Sequence, residues 1–596
     1  MRFVWAVVAF VLATVMIGAG IAQRTVFQGP KTQTETISVD DAAPYVLVDG
    51  TVLGSNAGAQ TFRAQADGTI FAAYGRTDDL EAWLARTDYA HVTLGDEGDV
   101  VTAHVDAEAP VKSDDGETVP LTPAGSDLWL DEFQQDDVLV ASVSLPADMS
   151  LLVAGDGVED APQTMSVTWP IGNATPWAGP LILGGGILMA VGIVLYILAV
   201  RHLRRSRGPR RRGLPMPVTE PIDVREVEAA GEKGVISASP SRRQLGGRTR
   251  KLVAIPVAAV VGLFATGCTA DAWPQLPAAQ SPSPSASVVV PEGQEAPPAV
   301  TEQQAARILD KIADQVASAD ETNDANLAAT RLDGTALATR STNYTLRTQL
   351  PDRAALPAIP TGDVKLLLPE AYEGWPRSFF AVVTDDTTQS DKVLAVTQTD
   401  PWSNYKLTSI ADLTAETSLN VAPAYIGALQ VQPDSPFLMI APEDLAGAYA
   451  DVIDNGDASR YASLFSDTDP FRSQVADNRA ATKQEFDQTG ATTGTLTFAT
   501  TAGSQEPISL ATLDSGAIVA VTVNETETVA PTTSDAVIKV DNNPVVKTLT
   551  GQTQSASGFT TTYVDQLFFF VPAQSSNQRI QNLGYSSDIL EAKVKQ

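Results

Sequence analysis

Three uncharged apolar stretches divide this chain: Phe3–Ala22, Trp177–Val200 and Leu252–Ala265. A basic block, Arg201–Lys251, separates the last two. A 20-residue apolar helix rises about 30 Å, the thickness of a bilayer's hydrocarbon core. An arginine forced to the bilayer centre costs about 2.5–3.5 kcal/mol, so Arg201, Arg204, Arg205, Arg207, Arg210, Arg211 and Arg212, directly after the second stretch, should stay cytoplasmic. The block holds 14 Lys/Arg against 5 Asp/Glu, a net +9, in a chain of net charge −31, so the remainder carries −40. The expected topology is N-terminus inside, first domain out, basic loop in, second region out.

The first stretch reads as an uncleaved anchor or as a signal peptide, since Gly20-Ile21-Ala22 offers a small-x-small site. The third differs from both others. Arg250 and Lys251 precede it, its core is short, and it ends in Ala265-Thr266-Gly267-Cys268. This resembles a bacterial lipoprotein signal with its lipobox, although Ala265 stands where leucine is usual. The resemblance implies lipidation of Cys268; the alternative is a third transmembrane helix carrying a free thiol.

Cys268 is the sole cysteine and His91, His104 and His202 are the only histidines. No intramolecular disulfide and no zinc site of standard spacing can form, and no cofactor is expected. So acidic a surface repels phosphate, which argues against nucleic acid. No Walker loop, G-x-S-x-G, H-E-x-x-H or C-x-x-C occurs.

Residues 23–175 alternate in polarity over short runs such as Leu139–Leu145, with Gly50, Gly54, Gly58 and Gly68 at turns. Strands are expected there, with one helix over Asp78–Arg86 capped by Thr77, giving an all-β outer domain, a sandwich or a small barrel, between two transmembrane helices. His91 and His104 could form a catalytic pair or be polar strand residues. Asp78, Asp79 and Asp96–Asp99 could hold calcium or be solvated turn carboxylates; the second group is too short for an EF-hand loop.

Residues 269–300 are rich in proline and serine and read as a tether. Beyond it, helical spacing at Ala306, Ile308, Leu309, Ile312 and Val316 precedes strands, and a second helical opening at Pro442 precedes longer ones. Helices first, then a meander of strands, predicts an α+β region of two modules, 301–440 and 441–596, with helices on bent antiparallel sheets. That order is similar to the nuclear-transport-factor-2-like, cystatin-like cone fold, and the whole layout resembles actinobacterial envelope proteins. The complete reading is a multidomain membrane protein: anchor 1–22, β domain 23–175, transmembrane helix 176–200, basic loop 201–251, third segment 252–268, tether 269–300, then the two modules. Some cone-fold proteins do acid–base chemistry, for which Asp400, Glu525 and Asp565 are the candidates here, with Tyr563 and Phe568-Phe569-Phe570 as core or an aromatic wall. The expected function is non-enzymatic: a multi-pass protein of a bacterial plasma membrane, in contact with its lipids, displaying extracytoplasmic domains to an envelope protein or cell-wall partner. The alternative is an enzyme or small-ligand carrier with a pocket in residues 441–596.

Overall fold

The structure is a computed structural model that describes residues 2–27, 30, 32–39, 41–56, 58–110, 112, 121–155, 159–171, 177–206, 298–414 and 420–596. Its first elements are α1 (Arg2–Thr25), β1 (Thr32–Ser38), β2 (Tyr45–Val48), α2 (Gly50–Leu53), β3 (Gln60–Arg76), α3 (Thr77–Leu84), β4 (Tyr89–Leu94), β5 (Val100–Val105), β6 (Asp131–Val143), β7 (Met149–Ala154), β8 (Thr164–Pro170) and α4 (Ala178–Ser206). After them come α5 (Glu302–Thr322), α6 (Ala325–Ala328), α7 (Gly334–Gln349), β9 (Val364–Pro369), β10 (Arg377–Asp385), β11 (Ser390–Gln398), β12 (Lys406–Leu413), α8 (Pro442–Asn455) and α9 (Pro470–Thr489). The chain ends with β13 (Gly494–Ala502), β14 (Ile508–Ala511), β15 (Ala517–Pro531), β16 (Ile538–Lys539), α10 (Pro544–Thr550), β17 (Gln554–Ser555), β18 (Phe559–Val571) and β19 (Gln581–Val594). Two compact units form: Met1–Thr34 with Trp169–Val288, and Glu35–Thr168 with Val289–Gln596.

In the first unit α1 and α4 lie side by side. Phe3 lies against Tyr196 with the rings tilted and their centroids 5.6 Å apart, while Gly20 abuts Ile182, so the helices run antiparallel. Glycine makes the contact close: a Cβ on Gly185 would fall 2.6 Å from Ile17 Cγ1 and 3.0 Å from the Ala13 carbonyl. Both helices are long and apolar enough to cross a membrane, and their outer faces leave Trp5, Val11 and Ile187 exposed.

The second unit begins with one eight-stranded sheet, ordered β1-β8-β3-β7-β2-β4-β5 with β6 on β3. Of the two expected forms, the strands build no two-sheet sandwich but one barrel-like mixed sheet, in which β2 and β4 run parallel because the chain crosses over through β3 and α3 between them. β2 ends before Asp49, whose carboxylate caps α2 by accepting from Thr51 N. Gly50 is obligatory there, since a Cβ would meet the Met149 carbonyl at 2.0 Å. Leu47, Phe71, Leu80, Trp83 and Trp129 fill the core under the sheet. α3 starts one residue earlier than expected, with Arg76 rather than Thr77 at the N-cap.

The C-terminal region is α+β. It is built in two halves, each opening with helices and closing with antiparallel strands, and the halves share one nine-stranded sheet, β13-β15-β18-β19-β12-β11-β10-β9 with β14 on β15. The last strand of one half pairs with the last strand of the other, antiparallel, through only Asp412↔Tyr585 and Leu413↔Gly584. Strand alternation then sorts neighbouring aromatics into different cores. Phe379 faces α5 and α7, whereas Phe380 meets Phe568 edge-on at 5.9 Å between the half-sheets. Phe568 and Phe570 share that middle core, and Phe569 points the other way onto Tyr449 of α8 at 4.8 Å. Four layers result: helices, half-sheet, half-sheet, helices. Each fully buried phenylalanine contributes about 1.5–3 kcal/mol.

Candidate functional site

The N-terminal sheet and the C-terminal region are welded by buried charge. Asp127, on the loop before β6, is wholly buried in side chain; Arg331 donates to it through both terminal nitrogens, Lys311 Nζ lies 3.3 Å away, and Tyr405 N donates at 3.0 Å. Asp79 of α3 receives Arg76 Nε at 2.7 Å and Arg377 Nη2 at 2.8 Å. Gln304 and Arg307 of α5 donate to the Leu128 and Trp129 carbonyls at 3.1 and 2.7 Å. Trp402 Nε1 donates to the Trp83 carbonyl at 2.8 Å, and the Arg86 guanidinium covers the Trp402 ring at 3.3 Å. Charges this deep are tolerated only when paired and hydrogen-bonded. The two regions expected to be separate domains on a tether thus form one head.

A second feature lies where β12 and β19 part. After two residue pairs their ladder ends, and side chains complete the backbone bonding of Ile410: its N–H donates to Gln566 Oε1 at 2.9 Å and its carbonyl accepts from Ser586 Oγ at 2.8 Å. The gap is a half-open cavity of about 410 Å³. Leu332, Leu356, Ile359 and Leu407 of the first half line it together with Gln474, Tyr585 and Asp588 of the second. Lys392 Nζ holds Asp412 Oδ1 at 2.5 Å, and Arg340 is held by Asp320 at 2.5 Å and by the Pro357 carbonyl at 2.7 Å. Tyr585 Oη donates to Gln474 Oε1 at 2.6 Å. Burial raises the pKa of Asp588 against the pull of Arg353 and Arg340.

Under the second half's helices, one guanidinium serves several acids. Arg479 of α9 binds Glu525 at 2.9 Å, Asp454 at 2.9 Å and Thr500 Oγ1 at 2.6 Å. Asp565 sits diagonally across the β15/β18 ladder from Glu525, because Val523 pairs with Asp565 and Glu525 with Tyr563. It is 0% exposed, neither carboxylate oxygen has a geometric hydrogen-bond partner, and burial plus the Glu525 charge push its pKa up to about 8. Burial also raises Glu525.

Of the other residues singled out from sequence, Arg201 and Arg204 are exposed at the end of α4, and Arg205 belongs to that helix. Arg207, Arg210, Arg211, Arg212, Arg250, Lys251 and Cys268 lie outside the described residues. His91 and His104 occupy adjoining strands but are one position out of register, opposite Ala103 and Ala90, so they face opposite sides and form no catalytic pair. Asp400 caps a turn, accepting from Trp402 N and Ser403 N. Asp79 is a structural ion-pair partner rather than a calcium ligand, and among the described residues no group of three or more acidic, histidine or cysteine side chains could hold a metal. Sequence reading missed Asp127, Arg331, Arg377 and the seam.

A family model described as a domain of unknown function, DUF8094, matches residues 296–594, half of the chain. No curated protein and no solved structure matches it.

Proposed function

We propose, for a chain that belongs to the DUF8094 family, a non-enzymatic role as a membrane-anchored protein of the bacterial cell envelope, displaying one welded head outside the plasma membrane to a protein or cell-wall partner. The observation that carries this reading is the buried Asp127 cluster. The exposed aliphatic faces of α1 and α4 favour lipid as their surroundings, since a helix of a soluble core would bury them. Arg201 and Arg204 then keep their end of the hairpin in the cytoplasm. Residues 35–168 lie between the helices in sequence and depart from the opposite end, outside. Residues 298–596 share a compact body with them, so they are outside too. This topology calls for one more crossing between 207 and 297, outside the described residues, and we assign it from sequence to Leu252–Ala265, as a third helix or as a lipoprotein-type signal ending at Cys268.

Binding rather than catalysis is favoured by chemistry. Thr301–Gln596 contains neither histidine nor cysteine, and Arg331, Arg340, Arg377 and Arg479 are committed to carboxylates. The helices-then-strands order of each C-terminal half keeps the cone fold as our reading of these halves, within an actinobacterial type of envelope protein. Protease added to intact spheroplasts should cut residues 298–596, and deleting 252–265 should make that region resistant until the membrane is opened. Protection in the unaltered chain would overturn the topology.

A further inference from the structure

The seam cavity has a mixed apolar and charged lining, and one carboxylate on it feels Arg353 and Arg340 only at a distance, with no hydrogen bond or ion pair among the described residues. Lys392, Arg340, Gln566, Ser586 and Tyr585 are all engaged by neighbouring protein groups. Asp588 of β19 is half-buried and makes no hydrogen bond or ion pair among the described residues; its cross-strand neighbour is Val564. Across the gap, Asp412 offers a second oxygen, since Lys392 engages Oδ1 alone. The same cavity is lined by the hydrocarbon of Leu356, Ile359 and Leu407.

A half-buried carboxylate without a partner is costly, and a cation beside it recovers the lost interaction. An anion would find no such vacancy, because the Arg340 guanidinium is nearly buried and already doubly bound. Among the described residues Asp588 and Asp412 are the two carboxylates in the cavity wall, fewer than a bare metal ion needs. We propose that the seam cavity binds an organic ammonium ion with a short apolar body, the ammonium on Asp588 and the hydrocarbon against Leu356, Ile359 and Leu407. At about 410 Å³ the cavity falls within the roughly 300–1,000 Å³ of small-molecule pockets, enough for an amine with a short apolar body. The site does not depend on the membrane topology, so the protease result above and the binding result below can fail separately.

The test is calorimetric titration of the full chain in lipid nanodiscs with n-hexylamine, using 1-hexanol and hexanoate as matched controls. Hexylamine should bind saturably and at least tenfold more tightly than either control. Asp588→Asn should lose at least tenfold in affinity without lowering the melting temperature, because the carboxylate it removes makes no hydrogen bond or ion pair among the described residues and burial already disfavours its charge. Asp588→Glu should retain binding. Ala336→Phe, which fills the cavity, should abolish it; if that variant fails to fold, the Asn and Glu pair still decides. Equal affinity for hexanol or hexanoate, or unchanged hexylamine binding by Asp588→Asn, would overturn the proposal.

Discussion

Replacing Asp565 with asparagine should stabilise this protein, and by more as the pH rises. The side chain is fully buried on β18, both carboxylate oxygens lack geometric partners, and its nearest charged strand neighbour, Glu525, is another acid. Its pKa stands at about 8 in the folded chain, set first by burial and then by Glu525, with Ser587 and Arg479 opposing. In the unfolded chain an aspartate titrates near 3.9. Below that value both states hold the proton and the residue is neutral to stability. Between the two values only the folded state keeps it, so stability falls as pH rises, and above about 8 the loss is complete.

Each unit of pKa shift is worth about 1.4 kcal/mol, so a shift from 3.8 to about 8 sets a ceiling of roughly 6 kcal/mol. Water penetration and side-chain relaxation bring the expected value to about 3–6 kcal/mol. Asparagine has the same shape and no proton to lose. Urea unfolding of the full chain in detergent, followed by tryptophan fluorescence, should show variant and parent alike near pH 4. The variant should then gain steadily to pH 8.5. Parallel stability curves from pH 4 to 8.5 would refute the assignment of this cost to Asp565.

Asp127→Ala should cost about 3–5 kcal/mol by leaving Arg331 buried without its carboxylate, and protease should then separate residues 35–168 from 298–596; an unchanged urea midpoint would show the weld to be weak. Glu370 is buried with one oxygen unpartnered and its pKa raised by burial to about 7, so Glu370→Gln should stabilise above pH 7 and be neutral below pH 4.5, read from the same urea series. Gly185→Leu should separate α4 from α1, because even a Cβ there would stand 2.6 Å from Ile17; crosslinking between cysteines placed at positions 10 and 192 should fall severalfold.

What the sequence made legible follows the strength of its periodic signals. Uncharged runs announced α1 and α4, and spacing at Ile308, Ile312 and Val316 announced α5, whose capping box joins Thr301 to Gln304. α7 escaped because its buried face carries Thr335, Thr339, Arg340 and Asn343 instead of a leucine stripe. Threonine disfavours helix, and a buried arginine looks exposed until Asp320 and the Pro357 carbonyl are seen around it. The run Phe568-Phe569-Phe570 was ambiguous for a related reason: alternation sends its members to two cores, and a sequence cannot say that both faces of a strand are covered. The weld and the seam were hidden more deeply. Asp127 meets Arg331 across 204 residues, and the cavity exists because β12 and β19 pair for two residues and no further. Neither has a local period. Each depends on where two separately readable pieces come to rest, so the charge that binds the head together looked like any loop carboxylate until its partners were known.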